Sequence, residues 1–161
     1  LDSLSTADLP AVPVRPFSMG YRSEQDSVWV ATDQLAAMLD EGFLPVLHGD
    51  VFTTQGSGAT IVSGDELVVS VADALDADRI GLCGSVSGVL DENDAVIPRI
   101  STYEEVKPVL SGSESTDVTG GMAAKVDLLL HADTPAHIFD IDGLRTFLAG
   151  GRPGTLIASE H

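Results

Sequence analysis

"IVSGDELVVSVADALDADRIGLCG", residues 61–84, reads as a turn entering a helix and then a strand. Ser63 stands three residues before Glu66. At that spacing a serine hydroxyl and a glutamate carboxylate satisfy each other's backbone amides at a helix start. The pattern predicts a helix over 63–75 and an apolar strand over 79–86. Helix alternating with strand is the unit of a mainly parallel sheet covered on both faces.

The same alternation extends in both directions. Residues 32–42 predict a helix that Thr32 caps and Gly42 ends, with Leu35, Met38 and Leu39 on one face. Residues 43–51 read as a buried strand, and 9–18 as a short strand interrupted by Pro13 and Pro16. The Gly-rich stretch 52–62 is a loop or hairpin. Beyond the decisive stretch, 87–94 is a loop and 101–110 a short helix with Ser101 and Glu104 at capping-box spacing. A polar segment, 111–118, leads to a helix within "DVTGGMAAKVDLLL" (117–130), a strand at 136–141, a helix at 142–150 and a tail. Residues 52–62 and 111–118 are expected to be mobile loops. With no repeat and no evident linker, the expectation is one domain over 1–161, an α/β three-layer α/β/α sandwich.

Composition narrows the function classes. The 161 residues are 43% hydrophobic, enough for an ordinary core. Twenty-five acidic residues against eight basic ones leave a formal net charge of −17. Such a polyanion repels nucleic-acid phosphates and anionic lipid, so neither is expected as a partner. High acidity with two lysines, Lys107 and Lys125, suits concentrated salt, where the Debye length falls to about 3 Å at 1 M. Cys83 is the one cysteine and has no internal partner, which suits a reducing, cytoplasmic setting.

Ligands of open α/β sheets bind beyond the carboxyl ends of the strands. Four stretches fall at such places: His48-Gly49-Asp50, Ser63-Gly64-Asp65, the loop from Cys83 to Asn93, and Thr119 to Lys125. Glycine lets backbone amides approach an anion, and a helix start adds partial positive charge. Lys125 lies one turn beyond Gly120 and Gly121, so 119–125 reads as a phosphate cradle with a charged clamp. Each stretch also has a plainer reading. Gly-Gly is often only a turn, Asp65 can complement the helix dipole, His48 can be a hydrogen-bonded core histidine, and Asp50 can simply start a hairpin. His131, His137 and His161 show no metal-ligand spacing, and no metal-binding residues are expected.

Taken in order, "PVLHGDV", "IVSGDELVVSVADALDADRIGL", "SVSGVLDEN", "DVTGGMAAKV" and "GRPGTLI" resemble the amino acid kinase family. The resemblance covers roughly residues 45–157, and "HGD" with "SGD" is most similar to the isopentenyl phosphate kinase type. It implies transfer of a phosphoryl group from ATP, with Mg2+, to isopentenyl phosphate. A fosfomycin kinase-like enzyme or a non-catalytic nucleotide- or oxyanion-binding module is the alternative. By the same resemblance, Asp65 organises the catalytic lysines and Lys125 meets the transferring phosphoryl group. Ser63, Gly64, His48, Gly49 and Asp50 face the acceptor, while Ser85, Gly88, Gly120, Gly121 and Lys125 face the nucleotide. Gly154 and Thr155 belong to a closing strand.

Gly84-Ser85 replaces the Thr-Asp or Ser-Asp pair usual in the family. The family's N-terminal Gly-Gly-Ser turn and "GGGSFGH" loop are absent, so residue 1 corresponds to a point about a third of the way along. The segment is expected to be inactive alone, and the intact protein to be an active homodimer.

Overall fold

The computed structural model describes residues 4, 6, 8–110 and 121–159. The segment 111–118 and Gly120 lie outside the described residues. The chain packs as two compact units, Leu1–Leu75 and Asp76–His161.

In the first unit, β1 (Ala11–Pro13) pairs in parallel with β4 (Leu44–Val46). A second, four-stranded sheet has the order β3-β2-β5-β6, built from β2 (Gly20–Arg22), β3 (Val28–Val30), β5 (Asp50–Thr54) and β6 (Gly58–Val62). Helix α1 (Asp33–Asp40) packs on β4, and α2 (Gly64–Ala74) packs on β3. The core of this unit is Val30, Phe52, Val62 and Leu67, with Met19, Val28 and Val71 against it. Each sheet residue here sits on an inward-facing pleat position, and Leu67 is on the inner face of α2.

Several expectations need correction. Residues 43–51 are not a buried strand: β4 has three residues, Phe43 and Leu44 are exposed, and the chain turns before β5. Of the two readings of 52–62, loop or hairpin, the hairpin holds, in register from Asp50↔Val62 to Thr54↔Gly58. On α1, Leu35 is buried but Leu39 is exposed, so the apolar stripe is narrower than its spacing suggests. Strands β2 and β3, three residues each, carry no pattern that the sequence reading detected.

The second unit holds one four-stranded sheet, in the order β7-β9-β10-β8. Its strands are β7 (Ile80–Gly84), β8 (Arg99–Ile100), β9 (Ala136–Asp140) and β10 (Thr155–Ile157), so the expected tail contains a strand. Helix α4 (Gly121–Leu130) packs on β10 and on α3 (Lys107–Leu110), burying Val126 and Leu129. Helix α5 (Leu144–Leu148) carries Phe147, whose ring stacks on Phe139 with centroids 5.0 Å apart. The capping box expected at Ser101 and Glu104 does not form. A 3-10 turn begins at Tyr103, and it is Glu105 that accepts from Ser101 N–H at 3.2 Å and Thr102 Oγ1 at 3.0 Å.

Across both units, β1/β4, β2/β5, β7/β9 and β8/β10 run parallel. The pairs β2/β3, β5/β6 and β9/β10 run antiparallel. The α/β class stands, with mixed sheets where a mainly parallel one was expected.

Candidate functional site

Several polar groups converge at the start of α2. Ser63 is extended at the N-cap, and its Oγ accepts from Glu66 N–H at 3.1 Å. In return, Ser63 N–H and Oγ–H donate to Glu66 Oε2 at 2.8 and 3.0 Å. The capping box read from the sequence is thus complete. Glu66 Oε1 accepts from Arg22 Nη2 at 2.8 Å, and Arg22 is buried. Burial pushes the Glu66 carboxyl up, but the Ser63 amide and the Arg22 guanidinium outweigh it and hold it below its usual value. Arg22 comes from β2, 44 residues away, so no local pattern announces it.

The "HGD" and "SGD" stretches meet here. A Cβ placed on Gly49 would lie 3.1 Å from Val62 O and 3.4 Å from Gly64 N. The Gly49 backbone therefore lies directly against the turn into α2. Gly64 is exposed with open space where its side chain would be, and Asp65 is half-buried in the first helical turn. His48 is exposed, with Nδ1 2.8 Å from Gly49 O, so it is not a core histidine. Asp50 opens β5, and its carboxylate accepts from Val51 N–H at 2.8 Å and Phe17 N–H at 3.2 Å. Those amides, Val51's first, hold the Asp50 carboxyl below its ordinary value. In this geometry Asp50 holds the turn.

Beside this assembly is a cavity of about 300 Å3 lined by Leu35, Leu47, Leu67, Val68 and other aliphatic side chains, with His48 and Gly64 also on its wall. An apolar cavity with a helix start on its wall suits a ligand with a short apolar body and an anionic head.

In the second unit, Ser85 is exposed just beyond the carboxyl end of β7. Gly88 is buried, and a Cβ there would stand 2.7 Å from Thr155 Oγ1. Its neighbour Val89 donates its N–H to the same hydroxyl at 2.8 Å. The loop from Cys83 to Asn93 and the Gly154-Thr155 strand entry, read separately in the sequence, are therefore locked together. Gly121 is the first residue of α4 and takes φ +62°, which L side chains rarely adopt. That conformation is why a glycine stands there. Lys125 is half-buried one turn further along α4. Ser63, Gly64, Asp65, His48, Gly49 and Asp50 thus belong to the first unit, and Ser85, Gly88, Gly121 and Lys125 to the second.

Among the described residues, no three His, Cys, Asp or Glu side chains gather as a metal site. No described helix is long and apolar enough to cross a membrane.

The geometry agrees with what the chain resembles among known proteins. The isopentenyl phosphate kinase of Haloferax volcanii is 53% identical over 99% of this chain and 64% of its own length. That of Methanocaldococcus jannaschii is 37% identical over 80% of this chain and 49% of its own. The chain thus spans about two thirds or less of these curated relatives. A crystal structure of an isopentenyl phosphate kinase superposes with a TM-score of 0.78 over 97% of this chain and 62% of that one, at 22% identity, which shows a shared fold. The model of the amino acid kinase family matches residues 2–140, and the chain belongs to that family.

Proposed function

We propose that this chain is the larger part of an ATP-dependent phosphotransferase whose acceptor is isopentenyl phosphate and whose product is isopentenyl diphosphate. The observation that carries the acceptor is the aliphatic cavity whose wall includes His48 and Gly64 at the start of α2. A five-carbon apolar chain suits the cavity, and its phosphate suits the Gly49, Ser63 and Gly64 backbone with the partial positive charge of the helix start. The likeness to isopentenyl phosphate kinases supports the same acceptor.

In this reading the second unit receives ATP. Ser85 and Gly88 border the nucleotide, Gly121 brings its backbone amide to the phosphates, and Lys125 stabilises charge on the transferring phosphoryl group. Asp65 is assigned to ordering the cationic groups. Phosphoryl transfer asks for in-line positioning and charge stabilisation rather than covalent help, and these residue types supply both. Mg2+ is proposed to arrive on the ATP phosphates, since the described residues offer no cage of their own and Mg2+ commonly binds through substrate phosphates. The net charge of −17 and the likeness to a Haloferax protein support a salt-rich cytoplasm as the working environment. A homodimer is proposed for the intact protein.

The test is ADP release by the intact protein in molar KCl with isopentenyl phosphate, ATP and Mg2+. Turnover should be present, and Lys125→Ala should lower kcat by two or more orders of magnitude with the fold retained. Unchanged kcat in Lys125→Ala would remove that residue from the chemistry. No turnover with isopentenyl phosphate alongside turnover with another phosphate acceptor would overturn the substrate.

A further inference from the structure

A second cavity, of about 360 Å3, lies wholly within the second unit, and none of the residues assigned above lines it. Its wall includes Arg79, Arg99, Arg152 and His137. Three of the chain's six arginines thus surround one space in a protein carrying 25 acidic residues.

The sheet explains how they meet. Leu156 on β10 stands in register with His137 on β9 and with Arg99 on β8. These three side chains share one face, because side chains directly opposite in a ladder point the same way. Arg79 enters from the residue just before β7, and Arg152 from the connection between α5 and β10. Arg79 is fixed in place: its Nη1 donates to Gly151 O at 3.2 Å, its Nη2 to Phe147 O at 2.6 Å, and its guanidinium lies 4.4 Å over the Phe147 ring. Arg99 and Arg152 are exposed, and Arg99 Nε donates to Ser101 Oγ at 3.1 Å.

None of the three arginines forms an ion pair among the described residues. The one acidic group on the wall is Asp78, which is exposed. Gathering like charges opposes folding, and a chain so rich in carboxylates has left these unneutralised. His137 is buried, and Pro153 O lies 3.1 Å from its Nδ1. Burial, with Arg79 and Arg152 nearby, holds its ring below the ordinary histidine value.

The cavity is also separate from the phosphoryl-transfer residues of its own unit. Ser85 follows the carboxyl end of β7, whereas Arg79 precedes the amino end of the same strand. Thr155, bonded to Val89, alternates with Leu156 and so points to the opposite face of β10.

We propose that this cavity is a binding site for a small oxyanion of the diphosphate kind, held by Arg79, Arg99 and Arg152. Guanidinium forks match phosphate oxygens in pairs, and several cations around one space favour a ligand with more than one charge. The site is independent of which acceptor the transferase uses.

The experiment is a titration of the intact protein with inorganic pyrophosphate, followed by the His137 ring resonances in NMR, with sulfate added at matched ionic strength as the comparison. The expected result is a saturable shift of His137 with pyrophosphate and a much weaker response to sulfate. Arg99→Gln and Arg152→Gln should each weaken the midpoint at least fivefold, and together fiftyfold or more. Both side chains are exposed, and circular dichroism confirms that each variant is folded. A His137 signal that pyrophosphate leaves unmoved overturns the site. So does a response reproduced by sulfate at the same midpoint, or one that both single variants retain unchanged.

Discussion

Replacing Glu66 by alanine should be among the most damaging single changes in the first unit, and the reason is Arg22. Glu66 accepts three hydrogen bonds, from Ser63 N–H, Ser63 Oγ and Arg22 Nη2. The Arg22 side chain is 7% exposed, against 27% for Glu66. Removing the carboxylate strands a buried guanidinium, which costs about 3–5 kcal/mol in comparable cases. Asp26 Oδ1 at 3.2 Å, Asp26 O at 3.1 Å and Ile61 O at 3.3 Å still accept from Arg22, so about 3 kcal/mol is expected. Arg22→Met should cost less, about 1–2 kcal/mol, because Glu66 keeps its Ser63 bonds and some water. It also removes Nε, a buried donor with no partner among the described residues. The double variant should cost about 2–3 kcal/mol, below the sum, a coupling of about 2 kcal/mol. Trp29, the one tryptophan, sits on β3 beside β2 and reports unfolding of this unit by fluorescence in urea. The measurement belongs in molar KCl, where exposed pairs such as Lys107–Glu104 are screened and a buried one is not. Additive costs, or a Glu66→Ala penalty below about 1 kcal/mol, would refute the account.

Other outcomes follow from single positions. Gly154 has φ +63°, and a Cβ there would run into Ile138 O and Ser87 O, so Gly154→Ala should cost about 3 kcal/mol or more in thermal unfolding. Ser101→Ala should change stability by less than about 0.5 kcal/mol, because the Ser101 backbone N–H, not its hydroxyl, meets Glu105. Acid should destabilise the fold in two stages. His137 is held below its ordinary 6.5 by burial, so the fold resists its protonation, and stability declines as pH falls below that value. Glu66 is held below its ordinary 4.5, so its contribution is full above that value and is lost as pH falls through the lower, folded one. Thermal midpoints measured from pH 7.5 to 3 should show both declines, and Glu66→Gln should shrink the lower one, leaving the part due to Asp50 and Asp91, whose carboxyls are also held low by backbone amides.

What could be read from the sequence divides by distance along the chain. The capping box at Ser63 and Glu66 is a three-residue relation, and it formed as written. The similar spacing at Ser101 and Glu104 failed because a 3-10 turn shifted the start by one residue, making Glu105 the acceptor. The Arg22–Glu66 pair, the contact of Gly49 with the start of α2, and the bond from Val89 to Thr155 join residues well beyond one turn of each other, and no local pattern carries them. The order of the glycine-bearing stretches identified the family where no single stretch could. The three-residue strands β2 and β3 were missed because alternation over so few positions has no statistical weight. The arginine cavity was invisible for the same reason: positions 79, 99 and 152 become neighbours only when β8 joins β10 and β10 joins β9.

The setting of β9 has a temporal consequence. Its two ladder sides are both occupied, by β7 and β10, and Ala136 to Phe139 are all buried. Solvent deuterium can reach those amides only when the whole unit opens, whereas β1 and β4, with one partner each among the described residues, release theirs in small fluctuations. The exchange rate at Ile138 is therefore a clock for the lifetime of the second unit, and the rate at Val12 is one for the fraying of the first.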